Sequence, residues 1–350
     1  MIKNIPVNEL LKLDAAIPVA DVRTPAEFEQ GHIPRSFNLP LFTNEERVRV
    51  GTTYKQVGRE EAILLGFDLT GSKWSGFIKQ ALALAPGKKI ALHCWRGGMR
   101  SGAMAWALDL YGFEVYLLQG GYKKYRNWVL NRFNEKLHIA ILGGLTGSGK
   151  TKVLHELSAG GEQVIDLEGL AQHQGSAFGS MNAMIQPTQE QFENNLAAQL
   201  YHINLLEPVW LEDESITIGK RVIPNALFHQ MRDATVIALA VPLEERVNFL
   251  VDEYGSLDKG FLKESTERIW KRLGPVQTKD AIVAIDEDRM ADFIRLVLVY
   301  YDKTYRAGLQ KRQPGHVITI ECADTNAANN AALILNHQHS AASQVAAENL

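Results

Sequence analysis

Within the nine residues His93-Cys94-Trp95-Arg96-Gly97-Gly98-Met99-Arg100-Ser101 the chain gathers one thiol, two guanidinium groups and two adjacent glycines. A cysteine that ends a strand and is followed by a glycine-containing turn and a helix has a specific chemistry open to it. The N–H groups of the turn can face inward as an anion nest, and the helix beginning near Ser101 adds its positive end. Arg96 and Arg100 add full charges. Such surroundings lower a thiol pKa and keep the thiolate, the nucleophilic form. Cys94, Arg96 and Arg100 are therefore the candidate catalytic residues, and Trp95, Gly97, Gly98, Met99 and Ser101 the anion-binding loop. The plain alternative is a buried structural cysteine.

A second anion site lies about fifty residues on. Gly144-Leu145-Thr146-Gly147-Ser148-Gly149-Lys150-Thr151 fills every position of the phosphate-binding loop pattern. Gly144, Gly147, Ser148 and Gly149 let backbone N–H groups approach phosphate oxygens. Lys150 reaches the outer phosphate, and the Thr151 hydroxyl is placed to ligate Mg²⁺. Glu212-Asp213-Glu214, just after an apolar run, is the candidate acidic site to organise that ion; a solvated strand end is the alternative. No other metal site is expected, because His93 and His173 have no partners at zinc spacing and read as structural or orienting groups. A nucleotide is the usual occupant of such a loop, but any diphosphate presents similar oxygens.

The elements that position these loops are legible in outline. Ile17–Ala20, Lys89–Leu92 and Val115–Leu118 read as apolar strands, with short helices over 26–30 and 102–111. Residues 122–134 read as a polar helix leading to the second half. His138–Leu142 is a buried strand feeding the phosphate loop, followed by a helix to about Ser158. Val164-Ile165, Val209–Leu211 and Thr235–Leu239 are further strands, and 262–312 is mostly helical. Alternating strands and helices imply an α/β fold with parallel sheets. The expected domains are 1–135, 136–325 with a helical C-terminal part, and a weakly ordered tail over 326–350.

Bulk properties exclude several classes. The chain has 350 residues, 46% hydrophobic and 22% charged, with a formal net charge of -3. It is long enough for two domains and is not a uniformly basic nucleic-acid binder. Its two cysteines, Cys94 and Cys322, are far apart and form no disulfide framework. No secretory signal follows Met1-Ile2-Lys3-Asn4 and no apolar run is long enough to span a membrane, so a reducing cytoplasm is the expected location.

Two stretches carry a resemblance. Asp21-Val22-Arg23-Thr24-Pro25-Ala26-Glu27-Phe28-Glu29-Gln30-Gly31-His32-Ile33-Pro34 resembles the rhodanese-domain signature, and Leu118-Gln119-Gly120-Gly121 is similar to its closing motif. The Cys94 loop departs from the usual rhodanese by having five rather than four residues between Cys94 and Arg100. A wider nest accepts a bulkier tetrahedral anion. The cysteine phosphatases built on this fold share the longer loop, so a rhodanese-fold phosphatase or sulfurtransferase fused to a nucleotide-binding domain stays open, as does a non-catalytic sulfur carrier.

From about Val7 to about Arg312 the chain resembles the tRNA 2-selenouridine synthase family, a rhodanese-like domain followed by a P-loop NTPase-like α/β domain. The strings that carry this include Val50-Gly51-Thr52-Thr53-Tyr54-Lys55-Gln56, Asp166-Leu167-Glu168-Gly169-Leu170-Ala171, Leu211-Glu212-Asp213-Glu214-Ser215 and Lys271-Arg272-Leu273-Gly274. Gln174 stands where the family pattern has Arg, and Ile216 where a basic residue follows Glu-Ser.

The resemblance implies that 2-thiouridine at the wobble position of tRNA is S-geranylated with geranyl diphosphate. The geranylthio group is then replaced by selenium from selenophosphate. It assigns geranyl diphosphate to Gly144–Thr151 and selenophosphate to the Cys94 loop, with an S-selanyl group on Cys94 as intermediate. The implied partners are the anticodon loops of tRNAs for Lys, Glu and Gln and the selenophosphate-producing enzyme; no tightly bound cofactor and no membrane are implied. Candidate RNA contacts are Lys123, Lys124 and Arg126, interleaved with aromatics, and Arg268, Lys271 and Arg272, which with Lys263 are spaced to share a helical face. An ordinary solvated face is the alternative for each cluster. The guess for the geranyl chain is Gly66 and the apolar stretch 62–69.

Overall fold

The computed structural model describes residues 1–173, 185–255 and 257–348; Gln174 lies outside them. The chain divides into two compact units, Met1–Phe133 with Glu190–Ala198, and Asn134–Gln189 with Gln199–Leu350.

The first unit is built on a parallel sheet of β1 (Ile2–Ile5), β2 (Val19–Asp21), β3 (Phe37–Asn38), β4 (Lys89–His93) and β5 (Glu114–Leu118) in the order β1-β5-β4-β2-β3. β4 is apolar from Ile90 to Leu92 and completely buried there, as a central parallel strand covered on both faces must be. Its register sets Asp21 opposite His93, at the ends of the strands from which the Cys94 loop leaves. The core between sheet and helices joins Val22, Leu39, Ile90, Leu92, Met104, Leu108 and Val115.

Residues 122–134, read as a polar connector, form most of a helix Gly121–Arg132 that buries Tyr122, Tyr125 and Val129. It is an integral layer of the first unit. A helix pair not anticipated from the sequence, Asn44–Gln56 and Arg59–Thr70, follows β3. The first of the pair has no buried residue at all. Its partly buried Val50 packs against the core, and a capping box fixes its start, the Thr43 and Glu46 side chains each accepting from the other's backbone N–H.

The second unit has β6 (Ile139–Gly144), β7 (Gln163–Val164), β8 (Val209–Glu212), a small antiparallel pair β9 (Thr217–Ile218) and β10 (Arg221–Val222), β11 (Thr235–Ala240) and β12 (Val317–Glu321). The parallel sheet runs β12-β11-β6-β8-β7. Leu142 of β6 pairs with Glu212 of β8, so the phosphate loop and the acidic strand end leave the same edge of adjacent strands. Such a crevice beyond the carboxyl ends of parallel strands is where open α/β sheets bind ligands. Helices between 243 and 309 pack their own core around Val247, Leu262, Ile285, Phe293 and Val297.

The segment expected as a weakly ordered tail is helical over Ala327–Glu348. Its alanines allow a helix, and burial of Ala331 and Ile334 against Val153, Leu154 and Leu157 holds it to the helix Lys150–Ala159 that follows the phosphate loop. Among the described residues no helix is long and apolar enough to cross a membrane.

Candidate functional site

The Cys94 loop is fixed from below by backbone and from behind by an ion pair. The Cys94 and Trp95 carbonyls accept hydrogen bonds from the N–H groups of Tyr122 (2.8 Å) and Lys123 (2.9 Å). Gly97 and Gly121 both have positive φ, and a Cβ on Gly121 would run into the Cys94 carbonyl and the Gly97 nitrogen. The closing motif therefore ends in glycine because only glycine lets the two loops touch backbone to backbone. Behind the loop Arg100 donates to both carboxylate oxygens of Glu27, at 2.6 and 3.1 Å.

The thiol of Cys94 is 4% exposed. Burial pushes its pKa up, but the Ser101 hydroxyl, which donates to Sγ across 3.2 Å, and the N–H groups of Ser101, Arg96 and Gly98 act more strongly together and hold it below the ordinary thiol range. The nest expected from the glycines and the helix start is present. The helix begins at Met99, one turn's edge earlier than read from the sequence. Cys322 shows the contrast: it is buried, and burial with nearby Glu321 and Asp324 pushes its thiol up.

Under the loop lies a completely buried cluster that the sequence did not single out as a unit. Arg23 chelates Asp21 through Nε and Nη2, donates to the Gly31 carbonyl at 2.6 Å and lies 3.7 Å over the Tyr122 ring. His93 sits 3.7 Å from Asp21, and burial keeps it neutral by pushing its pKa down. Neither of its ring nitrogens has a hydrogen-bond partner among the described residues.

Cys94 opens into a cleft of about 1060 Å³. Trp95, Arg96, Gly98, Met99 and Arg100 line one side, and the helix pair supplies the other. Of the stretch 62–69, Ala62, Ile63, Gly66 and Phe67 line this cleft. Trp95 is exposed at its mouth.

In the second unit the phosphate loop is held open from outside. The Gly144 N–H donates to the Tyr305 hydroxyl at 2.7 Å, and Arg246, 3% exposed and chelating Asp302, donates to the Thr146 carbonyl at 3.0 Å. Gly147 and Gly149 take positive φ, which presents the N–H groups of the loop to one side. Lys150 rests on the Gly144 carbonyl at 3.1 Å. Ser148 is buried in the loop.

Thr151 meets the acidic strand end directly. Its hydroxyl donates to Glu212 at 2.7 Å, with Glu168 at 3.4 Å. Glu168, Glu212 and Glu214 each turn an oxygen into one space in which these atoms lie within 4.8 Å of one another. The second Glu212 oxygen is buried with no hydrogen-bond partner among the described residues. Burial first and Glu168 second push Glu212 up to about 8, and the same causes raise Glu214. Three crowded carboxylates beside a threonine hydroxyl fit a hard divalent cation.

Asp213, grouped with its neighbours on sequence, belongs elsewhere. Strand alternation turns it to the opposite face, where it pairs with Arg312 and Arg232. Glu168 takes its place from the helix Leu167–Ala171. Only the string around Asp166 hinted at it, and sequence distance hid the role.

The candidate RNA contacts divide. Lys123 and Lys124 are exposed. Arg126 is drawn into the first unit by Glu193 and by Asn194 at 2.6 Å, which removes it from an RNA-facing set. Arg268 and Lys271 do not share one helix, since the chain breaks at Ile269 between Lys259–Arg268 and Trp270–Leu273. Arg268 pairs with Glu264, Lys263 with Asp286, and Arg272 donates to the Tyr300 hydroxyl. Ile216 is half-buried, and its carbonyl accepts from Ile223 at the base of the β9–β10 turn.

Known proteins match both halves of the chain. The family model described as the tRNA 2-selenouridine synthase AAA domain matches residues 137–332, and a rhodanese-like domain model matches residues 7–127. A tRNA 2-selenouridine synthase of Nitrosomonas europaea is 41% identical over 267 residues, covering 72% of this chain and 67% of that protein. One from Hydrogenovibrio crunogenus is 37% identical over 338 residues, 85% of this chain and 90% of that protein. One from Bdellovibrio bacteriovorus is 33% identical over 365 aligned positions, covering 89% and 94%.

Proposed function

The chain belongs to the tRNA 2-selenouridine synthase family of enzymes, and on that premise we propose how its two sites divide the reaction. The phosphate loop binds the diphosphate of geranyl diphosphate. The sulfur of a 2-thiouridine at the wobble position attacks C1 of the geranyl group, the C–O bond breaks, and pyrophosphate leaves with the bonding electrons while the N3 proton passes to solvent. Lys150 and the N–H groups of the loop stabilise the charge that develops on the departing oxygen. A divalent cation held by Thr151, Glu212, Glu168 and Glu214 would add Lewis-acid stabilisation of that group.

The thiol site then exchanges chalcogen. The Cys94 thiolate attacks the phosphorus of selenophosphate; the selenium–phosphorus bond breaks with its electrons on selenium, leaving an S-phosphocysteine and hydrogen selenide. The hydrogen selenide attacks C2 and expels the geranyl thiolate, which is a far better leaving group than unalkylated sulfur, giving 2-selenouridine. Water then attacks the phosphorus of the S-phosphocysteine, the sulfur–phosphorus bond breaks, and phosphate leaves with the thiol restored.

The observation that carries this reading is a buried thiol held low in pKa by hydrogen bonds inside an anion nest, in a chain that also carries a full phosphate loop. The test is mass spectrometry of the Cys94 peptide after exposure to selenophosphate, with wobble-nucleoside analysis after geranyl diphosphate is added with thiolated tRNA. One added phosphoryl group on Cys94 is expected, as is geranylated nucleoside that persists in Cys94→Ser and disappears in Lys150→Ala. Selenation by Cys94→Ser, or geranylation at the wild-type rate by Lys150→Ala, would overturn it.

A further inference from the structure

The charged lining of the Cys94 cleft has one sign. Arg47, Lys55, Arg59, Arg96 and Arg100 line it, and among the described residues no carboxylate does. Glu27 already neutralises Arg100, but the other four form no ion pair among the described residues. Between these cations the lining is apolar and open to water. Val48 is 67% exposed, Tyr54 51%, Phe67 57% and Trp95 38%. Leaving so much apolar and aromatic surface exposed around one opening marks a site of interaction. The helix Asn44–Gln56 packs Val50 against the core and leaves Val48 and Tyr54 exposed.

We infer that the helix pair Asn44–Gln56 and Arg59–Thr70 is an RNA-docking face, and that its inner wall seats the S-alkyl chain of the nucleoside undergoing selenation. The inference rests on the reading of Cys94 given above and extends it to the substrate. The occupant is a single-stranded RNA segment carrying an S-alkylated pyrimidine. Its phosphates meet Arg47, Lys55, Arg59 and Arg96, its unstacked bases meet Tyr54 and Trp95, and its alkyl chain lies along Ile63 and Phe67. Charge complementarity favours RNA, because phosphate contacts and aromatic stacking together are how single strands are held. Size agrees. A cleft of about 1060 Å³ lies at the upper end of the ~300–1,000 Å³ usual for ligand pockets, with room for a nucleoside, a ten-carbon chain and part of a neighbouring nucleotide. The chain is then a recognition handle as well as a leaving group, and an unalkylated thiouridine forgoes it.

The test uses the full chain and two synthetic anticodon stem-loops, one with S-geranyl-2-thiouridine and one with 2-thiouridine at the wobble position. Binding is read by fluorescence anisotropy over a range of salt. Lys55→Glu/Arg59→Glu is expected to weaken both RNAs by about tenfold or more and to flatten the log–log salt slope by roughly 1.4, the counterion release of two lost single-strand contacts. Ile63→Ser/Phe67→Ser is expected to erase a preference of about tenfold for the geranylated RNA and to leave the thiouridine RNA unchanged. Thermal unfolding and Cys94 alkylation at wild-type values certify both variants as folded.

Charge reversal without effect on either RNA overturns the docking face, and a surviving preference in the serine variant overturns the chain seat. Weakened geranyl diphosphate binding with both RNAs unaffected would make the cleft a diphosphate site and sink the inference. If the wild type binds neither RNA, the reading of the function falls along with it; if the wild type binds and selenates while the variants match it, only this placement falls.

Discussion

The Ser101 hydroxyl lies 3.2 Å from Cys94 Sγ and 3.3 Å from the Gly98 carbonyl, and it is the one side-chain hydrogen-bond donor to the thiol among the described residues. The bond is made by the first turn of the helix that also contributes the Ser101 N–H, so one residue supplies two of the interactions opposing burial. Hydrogen bonds to a charged group are worth about 1.5–3 kcal/mol.

Ser101→Ala should therefore raise the Cys94 pKa, because burial is then opposed by the backbone N–H groups alone. Because the wild-type thiol is held below its ordinary value, its thiolate is present at a lower pH than in an exposed cysteine. Iodoacetamide alkylation followed against pH should show the wild-type midpoint below the ordinary thiol range and the variant midpoint displaced upward. The rate at neutral pH should fall about tenfold. Coincident midpoints would show that the backbone N–H groups suffice alone.

Gly121→Ala puts a methyl group where the Cys94 carbonyl and the Gly97 nitrogen already lie, at a residue with φ of 58°. Strain of this kind costs about 1–3 kcal/mol. Melting should fall by roughly 5 °C, and Cys94 should lose its low midpoint because the nest is pushed open. At Gly102, in the helix Met99–Leu110, a Cβ meets nothing within 4 Å, so Gly102→Ala should be neutral or gain up to about 1 kcal/mol. Equal melting temperatures for the two variants would contradict the contact.

Glu212 makes the second unit sensitive to pH. Burial and Glu168 raise it to about 8 from an ordinary value near 4.5. The folded state thus holds a proton that the unfolded chain releases, so the penalty is absent below about 4.5, grows as pH rises and is complete above about 8. Without divalent cations, melting should drop between pH 5 and 8. Added Mg²⁺ should restore it most at the alkaline end, and Glu212→Gln should flatten the profile and abolish the Mg²⁺ effect. A melting temperature that climbs over this range in chelator would refute the assignment.

Both loops were legible in the sequence because their chemistry is local: glycines, a thiol or lysine, and a helix start fall within a few residues. The parallel sheets followed from buried runs such as Ile90–Leu92 and Ile141-Leu142. What escaped reading depends on distance or on the absence of a core. Glu168 reaches Glu212 only through the folding of separate segments. Asp213 was assigned with its neighbours because sequence adjacency does not reveal which face of a strand end a side chain takes. The helix pair 44–70 has no apolar stripe to betray it, since its first helix buries no residue fully and sets only Val50 against the core. Arg126 looked available until Glu193 and Asn194, more than sixty residues later, arrived beside it.

Those late arrivals impose an order of events on the nascent chain. Residues 190–198 complete the first unit: Asn194 donates to the Tyr122 hydroxyl at 2.7 Å and to the His32 carbonyl at 2.9 Å, and Glu190 accepts from Tyr122. A ribosome that has just finished residue 133 has therefore made a half with an open flank, and that flank waits until most of another sixty-five residues have emerged. A fragment cut at the apparent boundary would carry the thiol yet lack its last brace, and it should be handled as an unfinished body rather than as a free-standing domain.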